Sequence, residues 1–598
     1  MSIIPESEQL EYHALDYQLA NLLEQLNGNK NNELRQISLK ISKQTREGQI
    51  ALACDSIKSS ELLNHKVVGS SSDYKPLILE NGFIYLRRYW DYQQRLANEI
   101  KVRLLSSANQ PKKNTHIDQN WIKQRLQYYF SQDNKAKHQE TNWQEIAAAL
   151  ALISPFLIIS GGPGTGKTTT ITRILALLIE QQQMLNKKQP LRFLLAAPTG
   201  KAAMRMSESI RESVQWEGHK ITSEIKEQLL LQEASTIHRL LAYIPHSTEF
   251  RFNKKNPLAT DLVIIDEASM IDLALMTKLF EAIPPQAKII LLGDKDQLLS
   301  VETGSVFTDI CASANNKYNI KTITYLQAVI DHGLAQQATQ AENKSSHIDN
   351  QIVCLRKNWR FDQHSGIGKL ATAVNRGESK KTFNILENKK YNDINLLSPN
   401  NLTVKQFISS WQYYLQALKT KTSIADLFNA FNQFRILTAL RKGKMGCHNL
   451  NTQLEKQLSQ QNQLDTSKQW YHGRPIMITE NSYRTGLFNG DIGITQIDHT
   501  GQVKVWFQTN EGEKAFAPVR LPQYETTWVM TIHKSQGSEF ERVLMILPPE
   551  DSHILTRQLI YTGITRAKKQ LEIIADPAIL NLGIKRKTAQ ATQIRSIL

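Results

Sequence analysis

The sequence has little cysteine: Cys54, Cys311, Cys354 and Cys447 are the four in 598 residues. They are scattered, with no Cys-x-x-Cys pair and no neighbouring histidine cluster. That argues against a disulfide framework or a zinc site and suits a reducing cytoplasm. Long apolar runs are also lacking. The greasiest stretch, Ile146 to Ile159, is interrupted by Ser154-Pro155 and is too short to span a bilayer; it reads as a helix followed by a buried strand. The opening residues Met1-Ser2-Ile3-Ile4-Pro5-Glu6-Ser7 carry neither a basic n-region nor an apolar h-region, so secretion is not expected. No repeat at solenoid period is visible. The expectation is a cytoplasmic protein with no membrane partner.

What is present points to several packed units. The chain is too long for one hydrophobic core, and a hydrophobic fraction of 41% supports globular domains, three or four of ordinary size. Lysine plus arginine (72) exceeds aspartate plus glutamate (56), for a net charge of +16. Such an excess favours a polyanionic partner, nucleic acid before an anionic membrane, although solubility alone also accounts for it.

Residues 1–110 read as a mostly helical domain. Leu15, Leu19, Leu22 and Leu26 recur at helical spacing, as a core stripe or a partner surface does. The polar, proline-broken Ala108–Asn114 reads as a linker. From about Asn142, short apolar runs (Phe156–Ile159, Phe193–Ala197, Leu262–Ile265, Ile289–Leu292) alternate with helical segments, the pattern of a parallel sheet covered by helices. This first α/β domain spans 111–335, with a short hairpin near 243–256, and 315–350 reads as a polar surface excursion. A second α/β domain spans 336–598, with strands near Arg435–Thr438, Val543–Ile546 and Leu571–Ala575. Within it, Ile492, Ile494, Ile497 and then Val503, Val505, Phe507 alternate around the turn Asp498-His499-Thr500-Gly501. That predicts an antiparallel β insertion, a small barrel, over 473–521.

The strongest chemical signal is Gly161-Gly162-Pro163-Gly164-Thr165-Gly166-Lys167-Thr168, which satisfies G-x-x-x-x-G-K-[ST] in full, follows an apolar run and opens a helix. Glycine is needed because backbone N–H groups must wrap phosphate oxygens where side chains collide. Lys167 is expected to reach the β and γ phosphates of ATP, and Thr168 to hold Mg²⁺. Asp266 and Glu267 end the apolar run Val263-Ile264-Ile265. There Asp266 is suited to the Mg²⁺ shell and Glu267 to deprotonating an attacking water. An Asp-Glu pair on its own is common on surfaces, and its place after the run is what gives it weight. Gln297, in Leu291-Leu292-Gly293-Asp294-Lys295-Asp296-Gln297-Leu298, is a candidate γ-phosphate sensor. Arg360, in Trp359-Arg360-Phe361, and Arg566, in Tyr561-Thr562-Gly563-Ile564-Thr565-Arg566-Ala567, are candidate fingers for transition-state charge. Either arginine alone is as easily a salt-bridged surface residue.

Together with Thr531-Ile532-His533-Lys534-Ser535-Gln536-Gly537-Ser538-Glu539-Phe540, these segments resemble, in order, the helicase motifs of superfamily 1, from Gln144, a Q-motif position for the adenine, to Arg566. The runs Ala197-Pro198-Thr199-Gly200-Lys201-Ala202-Ala203, Ser235-Thr236-Ile237-His238-Arg239-Leu240-Leu241, Ser365-Gly366-Ile367-Gly368 and Asn489-Gly490-Asp491-Ile492-Gly493 are similar to those of RecD-type helicases. Leu15-Asp16-Tyr17 and Tyr85-Leu86-Arg87-Arg88-Tyr89-Trp90 look like the exodeoxyribonuclease V alpha-subunit family in particular. Asn358-Trp359 departs from the Ser-Tyr more usual there.

The resemblance implies two RecA-like P-loop domains with an SH3-like β insertion. It implies an ATP- and Mg²⁺-dependent 5′-to-3′ DNA helicase that binds the nucleotide through Gln144, Gly161, Gly162, Pro163, Gly164, Thr165, Gly166, Lys167, Thr168 and Thr169. Contacts to single-stranded DNA are implied at Pro198, Thr199, Thr236, His238, Thr531, His533 and Ser535; His238 and His533 are also ordinary turn histidines by type. The implied partners are RecB-like and RecC-like subunits in a heterotrimer acting on duplex ends, with exonuclease activity residing in the complex. A free-standing helicase of the same branch, an RNA-directed motor and a structural subunit with a lapsed motor are the competing readings.

Overall fold

The computed structural model describes residues 12–54, 61–108, 118–134, 141–185, 189–215, 221–299, 302–330, 347–361, 364–399, 404–420, 422–482, 484–509, 512–588 and 592–598. The linker expected at Ala108–Asn114 falls outside these apart from Ala108, as do the first seven residues and 331–346 of the polar excursion.

The N-terminal unit opens with helices α1 (Ala14–Asn27) and α2 (Asn32–Arg46). Gly28 ends α1 in the left-handed region at φ +85°, and the Asn31 side chain caps α2 by accepting from Leu34 N–H at 2.9 Å. Most of the leucine stripe is not core: Leu15, Leu22 and Leu26 are exposed, only Leu19 packs partly against the core, and α1 buries Ala20 and Leu23. The unit is also less helical than expected. Strands β1 (Ala51–Ala53), β2 (Val68–Gly69), β3 (Leu77–Glu80) and β4 (Phe83–Leu86) form a sheet in the order β1-β4-β3-β2. These strands are two to four residues long, too short for alternation to register.

Helix α3 (Arg87–Ala108) continues from β4 and anchors this unit to the next domain. The buried Arg103 guanidinium pairs with Glu99 at 3.0 Å and donates to the Ile283 carbonyl at 2.6 Å. Paired and hydrogen-bonded on both sides, the buried charge is tolerated.

The first α/β domain holds β5 (Phe156–Ser160), β6 (Phe193–Ala197), β7 (Ser235–Thr236), β8 (Leu262–Ile265), β9 (Lys288–Gly293) and β10 (Ile352–Cys354). They form one parallel sheet in the order β10-β5-β9-β8-β6-β7. Its central strands are buried on both faces, which is why they read as unbroken apolar runs. Because β10 belongs to this sheet, the domain runs past the expected boundary at 335, and the crossing to the second domain is at 355–361. Tyr318, Ile323, Leu326 and Val329 are buried in its core, so the described start of the polar excursion is packed rather than peripheral. The 243–256 hairpin consists of two isolated bridges, Tyr243 to Phe250 and Asn253 to Asn256.

The second α/β domain has β11 (Ile394–Leu397), β12 (Phe434–Thr438), β18 (Val529–Thr531), β19 (Phe540–Ile546) and β20 (Ala567–Ile574), all parallel in the order β11-β20-β19-β12-β18. Inserted between β12 and β18 is an antiparallel sheet of β13 (Pro475–Ile478), β14 (Ile492–Ile497), β15 (Val503–Thr509), β16 (Gly512–Phe516) and β17 (Tyr524–Thr526), in the order β16-β15-β14-β13-β17. The insertion therefore extends past Leu521, and among the described residues no ladder closes β16 onto β17 as a hydrogen-bonded barrel requires. Gly493 is obligatory within it, since a Cβ there would stand 2.5 Å from the Phe507 ring.

The C-terminal residues leave the second domain and return to the first. Thr592 N–H donates to Asp309 at 2.5 Å, Gln593 N–H to Gln93 at 2.8 Å, and Ile594 is buried.

Candidate active site

β5 delivers the glycine-rich loop at its carboxyl end, where open α/β sheets place their ligands. The loop runs into helix α4 (Lys167–Met184), with Gly164 at φ +79° and Gly166 at φ +80°. Its tightness is measurable. A Cβ at Gly161 would meet Thr165 Oγ1 at 2.5 Å, and one at Gly164 would meet Arg360 Cβ at 2.5 Å. The Lys167 ammonium donates to the Gly161 carbonyl at 2.6 Å, and the Gln144 side-chain amide donates to the Thr165 carbonyl at 2.9 Å. The predicted Q-motif residue thus touches the phosphate loop.

Asp266 and Glu267 follow β8, with the Glu267 N–H donating to Asp266 Oδ1 at 2.8 Å. Glu267 sits at φ +52°, a left-handed conformation unusual for a side chain of this size and typical of sites where geometry outranks local comfort. Burial, together with the neighbouring Glu267 charge, pushes the Asp266 carboxyl up to about 6 despite Lys167 nearby. Beyond β9, Asp294 and Gln297 are buried. Gln297 Nε2 donates to Asp294 Oδ2 at 3.0 Å, and the Tyr561 hydroxyl donates to the same oxygen at 3.1 Å.

The second domain closes the site. Arg566, buried, donates through Nη2 to Gln297 Oε1 at 3.1 Å, across the domain boundary. Arg360 Nη2 pairs with Glu539 Oε1 at 2.6 Å, while Arg360 Nη1 is buried with no hydrogen-bond partner. A cleft of about 670 Å³ between the two domains is lined by Gln144, the loop residues from Pro163 to Thr169, Asp266, Glu267, Gln297, Arg360 and Arg566. Gly161 and Gly162 form the base of the loop and do not line it.

A triphosphate fits this cleft on two grounds. The glycine cradle has no room for side chains, and an orphaned buried guanidinium N–H calls for an anionic acceptor. Thr168 and Asp266 could supply oxygen ligands to a cation of the kind that keeps most of its ligands as water and phosphate. Among the described residues no group of three His, Cys, Asp or Glu side chains could hold a metal.

Three residues of the site escaped the sequence reading. Asn358 accepts from the Arg360 and Phe361 N–H groups at 2.9 and 3.0 Å and donates to the Pro163 carbonyl at 2.9 Å, clamping the interdomain crossing to the phosphate loop. Its one signal was that it departs from the Ser usual at that position. Glu539 lay in a segment already singled out. Arg205 had no signal beyond its closeness to Ala203.

The residues expected at DNA cluster at strand ends. Pro198 and Thr199 follow β6, Thr236 ends the adjacent β7, where it pairs with Ala197, and His238 follows it. Thr531 ends β18, the edge strand of the second sheet, and His533 follows it. The Thr199 and Thr236 hydroxyls accept from Ala202 and Arg239 N–H groups, both at 3.2 Å. Burial lowers the titration of both His238 and His533, which favours neutral imidazoles. Ser535 stands apart: its side chain is fully buried and its hydroxyl donates to the Ile532 carbonyl at 2.7 Å, so it presents no side chain to a ligand.

Comparison with known proteins agrees with the motif order. Residues 144–303 match the family described as AAA domain, and residues 526–574 the UvrD-like helicase C-terminal domain. The RecBCD enzyme subunit RecD of Haemophilus influenzae is 35% identical over 546 residues, covering 88% of this chain and 81% of that protein. Its counterpart in Buchnera aphidicola subsp. Schizaphis graminum is 34% identical over 531 residues, covering 87% and 85%. The crystal structure of Bacteroides Pif1 bound to ssDNA aligns with 75% of this chain and 94% of that one, at 16% identity and a TM-score of 0.36. With relatives this similar along most of both lengths, the chain belongs to the RecD family of ATP-dependent DNA helicases.

Proposed function

We propose that the chain is the 5′-to-3′ motor of a RecBCD (exodeoxyribonuclease V) complex, a cytoplasmic assembly with RecB-like and RecC-like partners that acts on duplex ends during double-strand-break repair. The observation that carries the motor reading is the cleft between the two α/β domains where the phosphate loop meets Asp266, Glu267 and Gln297 from one side and Arg360 and Arg566 from the other.

In this reading ATP lies on the loop with its phosphates against Lys167 and the backbone N–H groups of 164–168. Gln144 braces the loop from behind. Thr168 and Asp266 would hold Mg²⁺, which when bound would supply screening of the phosphate charge. Glu267 takes the proton of the attacking water. Arg360, through its unpartnered Nη1, and Arg566 neutralise charge that builds on the transferred group. Gln297 contacts Arg566 and Asp294 and so registers the state of the cleft from both domains.

Single-stranded DNA crosses the strand ends of both sheets, held by Pro198, Thr199, Thr236 and His238 on one domain and Thr531 and His533 on the other. Hydroxyls and neutral imidazoles suit a motor that grips backbone without reading sequence. Ser535 acts from inside, by holding the turn that carries His533.

Lys167→Gln tests the motor reading: ATP turnover is expected to vanish while the melting temperature stays within a few degrees. Wild-type turnover in that variant sinks the nucleotide site. Purification of the tagged chain at native expression level tests the assembly. Two larger partners, one a helicase with a nuclease domain, are expected. Recovery alone, with strong unwinding of 5′-tailed duplexes, assigns it instead to the free-standing branch.

A further inference from the structure

Arg205 lines the nucleotide cleft and has no part in the mechanism above. It stands on the helix Gly200–Gln215 of the first domain, which is packed through Ala203, Met206 and Ile210. Its guanidinium reaches across the domain boundary. Nη2 pairs with Glu539 Oε2 at 2.9 Å, and Nη1 donates to the Gly537 carbonyl at 2.6 Å. The other Glu539 oxygen, Oε1, holds Arg360 Nη2 at 2.6 Å. One carboxylate therefore carries two guanidiniums, one from the first domain and one from the interdomain crossing, one on each oxygen.

A guanidinium facing a free carboxylate prefers to take both oxygens with two parallel N–H donors. Arg360 does not, because Oε2 is occupied, and its Nη1 is left buried and unpartnered. We propose that Arg205 is a positioning residue of the ATPase site: by occupying one oxygen of Glu539 it restricts Arg360 to a single contact and keeps Arg360 Nη1 available for a phosphate oxygen. The inference rests on the reading of Arg360 as a finger.

Glu539 is suited to this bridging role. Burial pushes its carboxyl up, but Arg205 and Arg360 outweigh burial and hold it down at about 2, so it stays charged at any working pH. The arrangement also belongs to one domain geometry. Arg205 comes from the first domain, Gly537 and Glu539 from the second and Arg360 from the crossing between them, so the constraint exists only while the domains sit together as here. The Arg205 helix begins directly after Pro198 and Thr199, and the Thr199 hydroxyl caps its first turn at Ala202 N–H.

The test is steady-state ATPase of the full chain with saturating oligo-dT, comparing Arg205→Gln, Arg205→Lys, Arg360→Gln and the Arg205→Gln/Arg360→Gln double variant. Arg205→Gln is expected to lower kcat about tenfold with KM for ATP held within about twofold, since an interaction made through Arg360 in the transition state is lost. Arg205→Lys is expected to recover most of that loss, because an ammonium still occupies Oε2. The double variant is expected to be no slower than Arg360→Gln alone, the signature of two residues acting through one.

Multiplying losses in the double variant overturn the proposal while leaving the finger reading intact. A raised KM at unchanged kcat in Arg205→Gln also overturns it, by making Arg205 a nucleotide-binding residue. Wild-type kcat in Arg360→Gln overturns the finger reading itself, and the inference with it. If Arg205→Gln proves unstable, the lysine variant decides alone: kcat as low as that of Arg360→Gln refutes the role of charge at Oε2.

Discussion

Replacing Asn358 by alanine isolates the contact between the interdomain crossing and the phosphate loop. Three hydrogen bonds disappear: two accepted from the Arg360 and Phe361 N–H groups at 2.9 and 3.0 Å, and one donated to the Pro163 carbonyl at 2.9 Å. Each such bond is worth about 1 kcal/mol net, and more where the orphaned group stays out of water. Asn358 is only half-buried, so water replaces part of the loss, and a total of roughly 1–2 kcal/mol is a fair figure.

That loss falls on the backbone that presents Arg360 and on the loop that grips phosphate. It should therefore appear in kcat/KM for ATP, at about 1.4 kcal/mol per tenfold. The expected result is a five- to thirtyfold drop, roughly, in DNA-stimulated kcat/KM. Asn358→Ser keeps an acceptor for the two N–H groups and loses only the donor to Pro163. It should cost about threefold or less, consistent with Ser being usual in the family. The assay is coupled-enzyme ATP turnover at saturating single-stranded DNA, with melting temperatures as a control. Wild-type kcat/KM in Asn358→Ala, or equal losses in the alanine and serine variants, refutes the idea that this side chain positions the finger.

Three further outcomes follow from the charges and the strand ends. Asp491 in the β insertion is pushed up to about 6 by burial, against the Phe488 N–H and Lys201, which pull the other way. Its folded value exceeds the ordinary 3.8, so the folded chain holds the proton more tightly and stability falls as pH rises from about 4 through 6. Asp491→Asn should thus melt above the wild type by a margin that widens between pH 5 and pH 8; a margin that stays constant or shrinks rejects the assignment. Affinity for oligo-dT should fall steeply with salt, by about fiftyfold between roughly 50 and 200 mM if about four phosphates are neutralised. A flat response excludes backbone tracking, and His533→Ala should weaken binding more than Ser535→Ala, whose hydroxyl points at its own turn.

The phosphate loop, the Asp266-Glu267 pair and the central strands were legible in the sequence because each is local. A buried parallel strand needs four or five consecutive apolar residues, and a phosphate cradle needs its glycines at fixed spacing, whatever the rest of the chain does. The same local logic failed for the N-terminal sheet, whose strands are too short to show alternation, and for α1. There helical spacing identified a leucine stripe without telling which face would meet the core, and Ala20 and Leu23 took that place.

The tertiary structure alone decided which distant residues share a contact. β10 joined the first sheet although it follows the polar excursion, and the C-terminal residues returned to the first domain through Asp309 and to α3 through Gln93. Arg205 met Gly537 from 332 positions away, and Arg566 met Gln297 from 269. A hydrogen bond requires its two groups within about 3 Å and depends on nothing in the sequence between them, so such pairings leave no periodicity to read. For that reason the sequence alone determined the chemistry of the nucleotide site, while packing of the two domains decided how its arginines are held.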